Sequence, residues 1–273
     1  MNTLGRTWQL FKQSFTVLSG EPSLVVFPIL TAASALVLMA GFFVPLYRLG
    51  SLQAIAHRTA GWDDFLPLFS WYYANTFVVV FFNSALAACV NIRLSGGDPT
   101  LGDGLSVAAS RLPRIAAWTL VSATFGLVLR GVENHEKAAK FVTGIIGAGW
   151  TMVTYFMIPV VIIEDRPVFQ SVKRSIELLR KTWGEQLTGG FGFGLLGVLL
   201  VLPGFGLGLL LIPANLILGI SVIVTWVLML AAIFGAVRGI FTVALYRYAT
   251  EGNAPFGFSR EALAGPVPPY SGY

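Results

Sequence analysis

The distribution of charge along the chain shows one long gap: residues 186–237 carry no charged side chain, and most of them are apolar. Pro203-Gly204 and Pro213-Ala214-Asn215 interrupt this run. A helix rises about 1.5 Å per residue, so about 20 residues cross the hydrocarbon core of a membrane. The run therefore predicts two crossings joined by an apolar hairpin that turns between Pro203 and Pro213.

The same criterion predicts six crossings in all. They cover residues 24–47, 70–92, 115–129, 141–163, a fifth from about 187 to the hairpin, and a sixth from about 214 to 248. The third is short, and it reaches crossing length if Arg114 and Arg130 lie in the two headgroup layers. The predicted fold class is an all-α, polytopic membrane helix bundle.

Amphipathic stretches precede each pair of spans, because large apolar residues recur there at helical spacing. The first contains Trp8, Phe11, Phe15 and Leu18; the second Leu101, Leu105, Leu112 and Ile115; the third Phe169, Val172, Ile176, Leu179 and Trp183. An apolar face with a basic flank is typical of a helix in the headgroup layer. We therefore predict up to three cytoplasmic interfacial helices.

Residues 12–18 and 173–179 have similar sequences, KQSFTVL and KRSIELL. One interpretation is a unit of interfacial helix plus hairpin used three times, over residues 4–92, 99–163 and 167–250. The other is independent origin, because any cytoplasmic helix beside a membrane becomes amphipathic. In either case residues 1–263 are expected to form one membrane-embedded domain, and residues 264–273 a flexible tail.

Composition and charge agree with a membrane protein. Of the residues 55% are hydrophobic and 11% charged, against about 25% charged in soluble domains. One predicted side carries Arg6, Lys12, Arg93, Arg111, Arg114, Arg166, Lys173, Arg174, Arg180, Lys181, Arg247 and Arg260, and the other Arg48, Arg58, Arg130, Lys137 and Lys140. This bias predicts a multi-pass protein of the cytoplasmic membrane with both termini in the cytoplasm. Because the cations flank apolar spans, nucleic acid is not an expected partner.

Several phrases together resemble a prokaryotic family of six-span membrane proteins of unknown function, over nearly the whole chain. They are WQLFKQS from residue 8, FPIL from 27, GDPTLGDG from 97, Trp118, GAGW from 147, PVVIIE from 159, Ser175, TWG from 182 and ALYRYA from 244. The resemblance implies the fold and the membrane location, and it implies no activity.

Polar residues within the spans have two interpretations. Arg238 either forms an intramembrane site with Glu164 or Asp165, or lies at the cytoplasmic interface as a snorkelling anchor, which its position favours. Asn75, Asn83 and Asn91 either line a polar path or form interhelical hydrogen bonds, the commoner use. Glycines of the fifth span, among them Gly204 and Gly208, are expected to permit close helix packing.

No set of residues predicts catalysis or a cofactor. Asp98 and Asp103 lie in a Gly-rich turn whose spacing fits no calcium loop, and His57 and His135 fall in different loops. Cys89 is the only cysteine, which excludes an intramolecular disulfide and a cysteine-cluster metal site. An enzyme would require Asp98, Asp103, Glu164 and Asp165 to converge.

The expected function is a non-enzymatic scaffold or accessory protein that engages membrane lipids, a protein partner or a second copy of itself. The contacting residues would be Trp8, Lys12, Lys173, Arg174, Arg180, Lys181 and Trp183. The alternative is a small-solute or ion transporter or channel lined by Asn75, Asn83 and Arg238.

Overall fold

A computed structural model describes residues 3–48, 62–133 and 137–263, and these residues form helices joined by short turns. The helices are α1 (Thr3–Gly20), α2 (Val26–Arg48), α3 (Trp62–Leu94), α4 (Leu101–Ser110), α5 (Leu112–Glu133), α6 (Lys137–Val153), α7 (Val168–Leu211), α8 (Leu216–Glu251) and α9 (Arg260–Leu263). A 3-10 turn, Pro22–Val25, precedes α2. The predicted all-α class is confirmed.

Five helical segments are long and apolar enough to cross a membrane: Pro22–Val44, Leu66–Leu94, Leu112–Leu129, Ile146–Glu164 and Leu216–Glu251. Their large apolar side chains often face outward, as Val37 (72% exposed) and Ile217 (77%) do. Exposed apolar surface on this scale is unfavourable in water and favourable against lipid tails. The helices therefore indicate a multi-pass membrane protein.

The predicted turn between Pro203 and Pro213 is wrong in position. α7 continues through Pro203 to Leu211, and the chain reverses only over the next four residues, where the Asn215 side chain caps α8. Gly204 and Gly208 lie where an added Cβ would collide with Trp226 and Ile223 of α8. The glycines thus allow α7 and α8 to pack closely as a hairpin, in agreement with the packing interpretation.

One hydrogen bond between the two helices of this hairpin lies in the turn that precedes Pro203. A proline lacks an N–H and disturbs the helical bonds of the preceding turn. The indole Nε1–H of Trp226 donates to the carbonyl oxygen of Leu200, at 2.9 Å. In lipid, a backbone acceptor next to a proline is commonly satisfied by a neighbouring helix in this way.

We expect Trp226→Phe to lower the free energy of unfolding by about 1 kcal/mol more than Trp71→Phe does, because both replacements remove the same indole volume and only Trp226→Phe also removes this hydrogen bond. Trp71→Phe is the matched control, since the Trp71 indole N–H has no acceptor among the described residues. Reversible unfolding in lipid–detergent bicelles compares the two variants. Equal losses from both would show that the Trp226 bond contributes nothing.

The fourth predicted span, residues 141–163, is interrupted. α6 ends at Val153, a turn follows, and the chain continues as a short helix, Met157–Pro159, and a π-helical stretch, Val160–Glu164. The buried Ser175 of α7 bridges the break: its hydroxyl donates to the Val153 carbonyl, at 2.5 Å, and accepts from the Phe156 N–H, at 3.2 Å. Backbone groups freed by the break are thereby satisfied.

The buried core lies towards one end of the bundle. It combines α1, the last turns of α3, the stretch from Phe156 to Ile162, and the second half of α8, where Ile240, Phe241 and Leu245 are almost fully buried. Both ends of the described chain meet here: the buried Arg6 of α1 donates to the Ala262 and Leu263 carbonyls of α9, at 3.0 and 3.2 Å. We call this the packed end.

Candidate functional site

Helix α1 buries its small and aliphatic face and exposes its aromatic face. Leu10, Ser14 and Val17 are at most 6% exposed, whereas Trp8 is 54% and Phe15 44% exposed. Of the predicted apolar face only Leu18 is buried in the core. A helix on a soluble protein shows the reverse arrangement, because its large apolar residues face the core.

The aromatic residues of α1 form a row in which Trp8 and Phe15 are exposed and Phe11 between them is half-buried. Ring centroids lie 5.8 Å apart between Trp8 and Phe11 and 6.2 Å apart between Phe11 and Phe15. Phe11 also contacts Phe234 of α8, at 5.4 Å between centroids. The row therefore continues directly onto a helix of membrane-spanning length.

The first half of α7 has the same arrangement. Ser171, Ser175, Leu178 and Thr182 are at most 1% exposed, and Phe169 is 85% exposed. Val172, Ile176 and Leu179 of the predicted apolar face are half-buried, and the side chain of Trp183 lies outside the described residues. The backbone leaves helical geometry at Thr182 (φ −124°, ψ 20°), so this half is separated by a kink from the apolar half that follows.

The alignment of residues 12–18 with 173–179 agrees with these exposures. Ser14 and Ser175 are both fully buried, Lys12 and Lys173 are both exposed, and the exposed Trp8 corresponds to the exposed Phe169. Arg180 and Lys181 are exposed as well. We call the outward faces of α1 and of the first half of α7 the two interfacial faces.

The second predicted amphipathic helix is shorter than expected and lacks such a face: α4 ends at Ser110, before Leu112 and Ile115 of the predicted face. It buries Gly104 and Ala108 and begins with a reciprocal cap: Thr100 Oγ1 accepts from the Asp103 N–H at 3.2 Å, and the Thr100 N–H donates to Asp103 Oδ2 at 2.8 Å. A hydrogen bond from the Thr100 hydroxyl also holds the pKa of Asp103 below its usual range. Asp103 is thus a capping residue.

Glu164 is the centre of a polar network at the packed end. Its carboxylate accepts hydrogen bonds from Arg174 Nε and from the Tyr246 hydroxyl, both at 3.0 Å, and from Arg166. The Glu164 side chain is 14% exposed. The hydrogen bond to Glu164 raises the pKa of Arg174. The network ties α7 and α8 to the end of the interrupted span.

Asp165 extends this network to α4 and α5. It adopts a left-handed backbone conformation (φ 55°), which aspartate tolerates better than most residues. Its carboxylate pairs with Arg114, and Arg111 Nε lies 2.7 Å from the same oxygen without the alignment of a hydrogen bond. We call Arg111, Arg114, Glu164, Asp165, Arg166, Arg174 and Tyr246 the rim network. Sequence reasoning missed Tyr246 as a member, although it stands within the phrase ALYRYA.

The four carboxylates that an enzyme would have required do not converge. Asp98 pairs with Arg93, Asp103 caps α4, and Glu164 and Asp165 belong to the rim network. Within residues 3–48, 62–133 and 137–263, no group of three or more His, Cys, Asp or Glu side chains is placed to hold a metal ion. His57 and His135 lie outside the described residues.

The less favoured alternative for Arg238, an intramembrane pairing with Glu164 or Asp165, is not found, because both acids are paired with other arginines. Arg238 itself is exposed on α8. Asn75 Nδ2 donates to the Trp71 carbonyl, at 3.0 Å, and Asn83 Nδ2 to the Val79 carbonyl, at 2.8 Å. Each of these two amides thus bonds to the preceding turn of its own helix.

The apolar helices, the outward apolar side chains and the charged packed end together define an all-α, multi-pass membrane protein. The sequence model of a family of unknown function, DUF6159, matches residues 63–256. The chain belongs to that family. No curated protein and no solved structure matches the chain.

Proposed function

We propose that this protein is a non-enzymatic membrane scaffold whose two interfacial faces lie in the headgroup layer of the cytoplasmic leaflet and contact lipid. The observation that carries the proposal is the inverted burial of α1 and of the first half of α7. Both helices turn serines and aliphatic residues inward, among them Ser14, Ser175 and Leu178, and turn the aromatic Trp8 and Phe169 outward. A headgroup layer is the environment that stabilises such a face.

The charges beside these faces support a lipid contact. Lys12 lies one turn from Trp8, and Lys173 one turn from Phe169, and both lysines are exposed. Basic residues that flank an apolar face attract anionic headgroups, at about 1 kcal/mol per charge close to the surface. The Phe11–Phe234 contact supports the position of α1 in the headgroup layer, because it joins the α1 face to the apolar surface of α8.

The proposal includes six crossings, with both termini in the cytoplasm. The crossing added to the five apolar helices is the predicted fifth span in the second half of α7, of which the apolar stretch Gly197–Leu211 packs against α8 as one arm of the hairpin. The excess of Lys and Arg at the packed end supports the orientation, because short basic loops stay in the cytoplasm. A scaffold, rather than a catalyst, is supported by the mutual pairing of the charged groups in the rim network.

The double substitution Trp8→Ser and Phe169→Ser tests this function. These residues are exposed in the isolated protein, so in water their replacement is expected to be nearly neutral, within about 0.5 kcal/mol. In a bilayer the same replacement removes two apolar contacts, each contributing about 1.5 kcal/mol when buried. We therefore expect a clear fall in the melting temperature in phospholipid nanodiscs.

The matched control carries Thr16→Ser and Gln170→Ser, which alter exposed positions on the polar sides of the same helices. It should melt with the wild type. Equal melting of the aromatic variant and the control in nanodiscs would refute the lipid contact. So would a protein partner that co-purifies from native membranes and is released by the aromatic substitutions, since the faces would then bind protein.

A transporter is the second candidate, and the interrupted fourth span is the observation that favours it, because broken helices line many transport sites. Here the break is surrounded by buried apolar residues, among them Phe156, Met157 and Val160, and Ser175 satisfies its backbone. Asn75 and Asn83 bond within their own helix. The scaffold is the better supported of the two functions.

A further inference from the structure

Arg238 lies at the depth of the headgroups in the proposed orientation. It follows the start of α8 at Leu216 by 22 residues, and these rise about 33 Å, slightly more than the hydrocarbon thickness. The helix continues to Glu251, so Arg238 stands where α8 leaves the lipid and enters the packed end. A guanidinium at this depth has phosphate groups within its reach.

The residues one helical turn before Arg238 and one helical turn after it differ in polarity. One turn before it, Phe234 contacts Phe11 of the α1 aromatic row. One turn after it, the Thr242 hydroxyl bonds to the Arg238 carbonyl, at 2.9 Å, and lies 3.4 Å from the Tyr155 hydroxyl. The guanidinium thus stands between an aromatic surface that suits acyl chains and a pair of hydroxyls that suits a polar headgroup.

The charge of Arg238 is not compensated within the described residues. None of the carboxylates whose side chains the structure describes forms an ion pair with it. Glu164 and Asp165, the acids considered as its partners in the intramembrane alternative, are already paired with four other arginines. An exposed arginine at the membrane interface without an acidic partner attracts an anion.

We propose that Arg238 binds the phosphate of an anionic phospholipid, with the Phe11–Phe234 pair beside the first carbons of its acyl chains. Guanidinium and phosphate form charge-assisted hydrogen bonds, which are stronger than neutral ones. The packed end is rich in Lys and Arg, so a headgroup with a net negative charge is favoured over a zwitterionic one. This site depends on the proposed function in one respect, the assignment of the packed end to the cytoplasmic side of the membrane. It uses none of the outward residues Trp8, Phe169 or Lys173.

The test counts lipids retained by the purified full-length protein in native mass spectrometry, with phosphatidylglycerol as the probe. We expect Arg238→Gln to weaken phosphatidylglycerol retention about tenfold, which corresponds to the loss of one charge-assisted hydrogen bond. Arg238→Lys should keep part of the retention, because it keeps the charge but loses the fork of donors. Arg260→Gln, which removes an exposed charge from α9, should leave retention unchanged.

Two further results bear on the source of the phosphate. Phosphatidylcholine should bind more weakly than phosphatidylglycerol, and inorganic phosphate should not displace the lipid. Equal retention of both lipids, displacement by inorganic phosphate, or unchanged binding in folded Arg238→Gln would each overturn the proposal. Because Trp8→Ser with Phe169→Ser leaves Arg238 intact, loss of the interfacial contact and loss of the phosphate site are measured separately.

Discussion

Replacing Glu164 by Gln is expected to cost roughly 2 to 4 kcal/mol of unfolding free energy. The new amide nitrogen would face donors from Arg166, Arg174 or Tyr246, and the guanidinium groups would lose their counter-charge. Because the Glu164 side chain is only 14% exposed, water compensates little of this loss. Reversible unfolding in bicelles measures the difference.

Glu251→Gln is the matched control for Glu164→Gln. Glu251 pairs with Arg247 one turn away on α8, and its side chain is 46% exposed. A surface pair of this kind contributes about 0.3 to 0.5 kcal/mol. Similar losses from the two substitutions would show that the rim network is no more than a set of solvated ion pairs.

Gly104→Ala is expected to cost about 1 to 3 kcal/mol, because it places a methyl group in an interface with no space for it. An added Cβ would lie 2.5 Å from Cys89 Sγ and 2.6 Å from the Ala85 carbonyl oxygen of α3. Part of this obstacle is backbone, so α4 would have to move away from α3. The same bicelle unfolding measurement applies.

Gly102→Ala, two residues earlier in α4, separates this packing effect from helix propensity. Its Cβ would meet only the Thr100 hydroxyl oxygen, at 3.6 Å. Alanine favours the helix over glycine by up to about 1 kcal/mol, so this variant should be neutral or more stable than the wild type. Destabilisation of both variants by the same amount would contradict the close α3–α4 contact.

The sequence was sufficient to predict five helices that are long and apolar enough to cross a membrane, but it could not predict which faces of the amphipathic helices are buried. Runs such as residues 214–248 are apolar over a greater length than helices of soluble proteins, and this length can be read directly from consecutive residues. The environment of an apolar helix face, by contrast, does not follow from the local pattern, because lipid tails are as apolar as a protein core. The spacing of Trp8, Phe11 and Phe15 therefore identifies an apolar face without telling whether core or lipid covers it.

The rim network was beyond prediction for a different reason. Glu164 and Tyr246 are separated by 82 positions along the chain, and Arg114 and Asp165 by 51. Such pairs form only after α5, α7 and α8 have packed, so no local pattern indicates them. In the sequence, the arginine partners of Glu164 and Asp165 contribute only to the charge bias of one predicted side.

The turn of the α7–α8 hairpin was misplaced because Pro203 is a weaker signal in a membrane than in water. In water a proline inside a helix usually ends it, since the freed carbonyls and the strain favour a turn. In lipid a turn would expose several unpaired backbone groups, and a neighbouring donor such as the Trp226 indole is the less costly solution.

The depth of labels attached to the two interfacial faces tests the central claim most directly. Trp8→Cys and Phe169→Cys place a fluorophore on these faces, Thr16→Cys and Gln170→Cys place it on the polar sides, and the native Cys89 is 1% exposed and so protected from labelling. In nanodiscs containing a lipid-borne quencher, the labels at positions 8 and 169 should be strongly quenched and those at 16 and 170 only weakly. Quenching of all four by a water-soluble quencher alone would contradict the account.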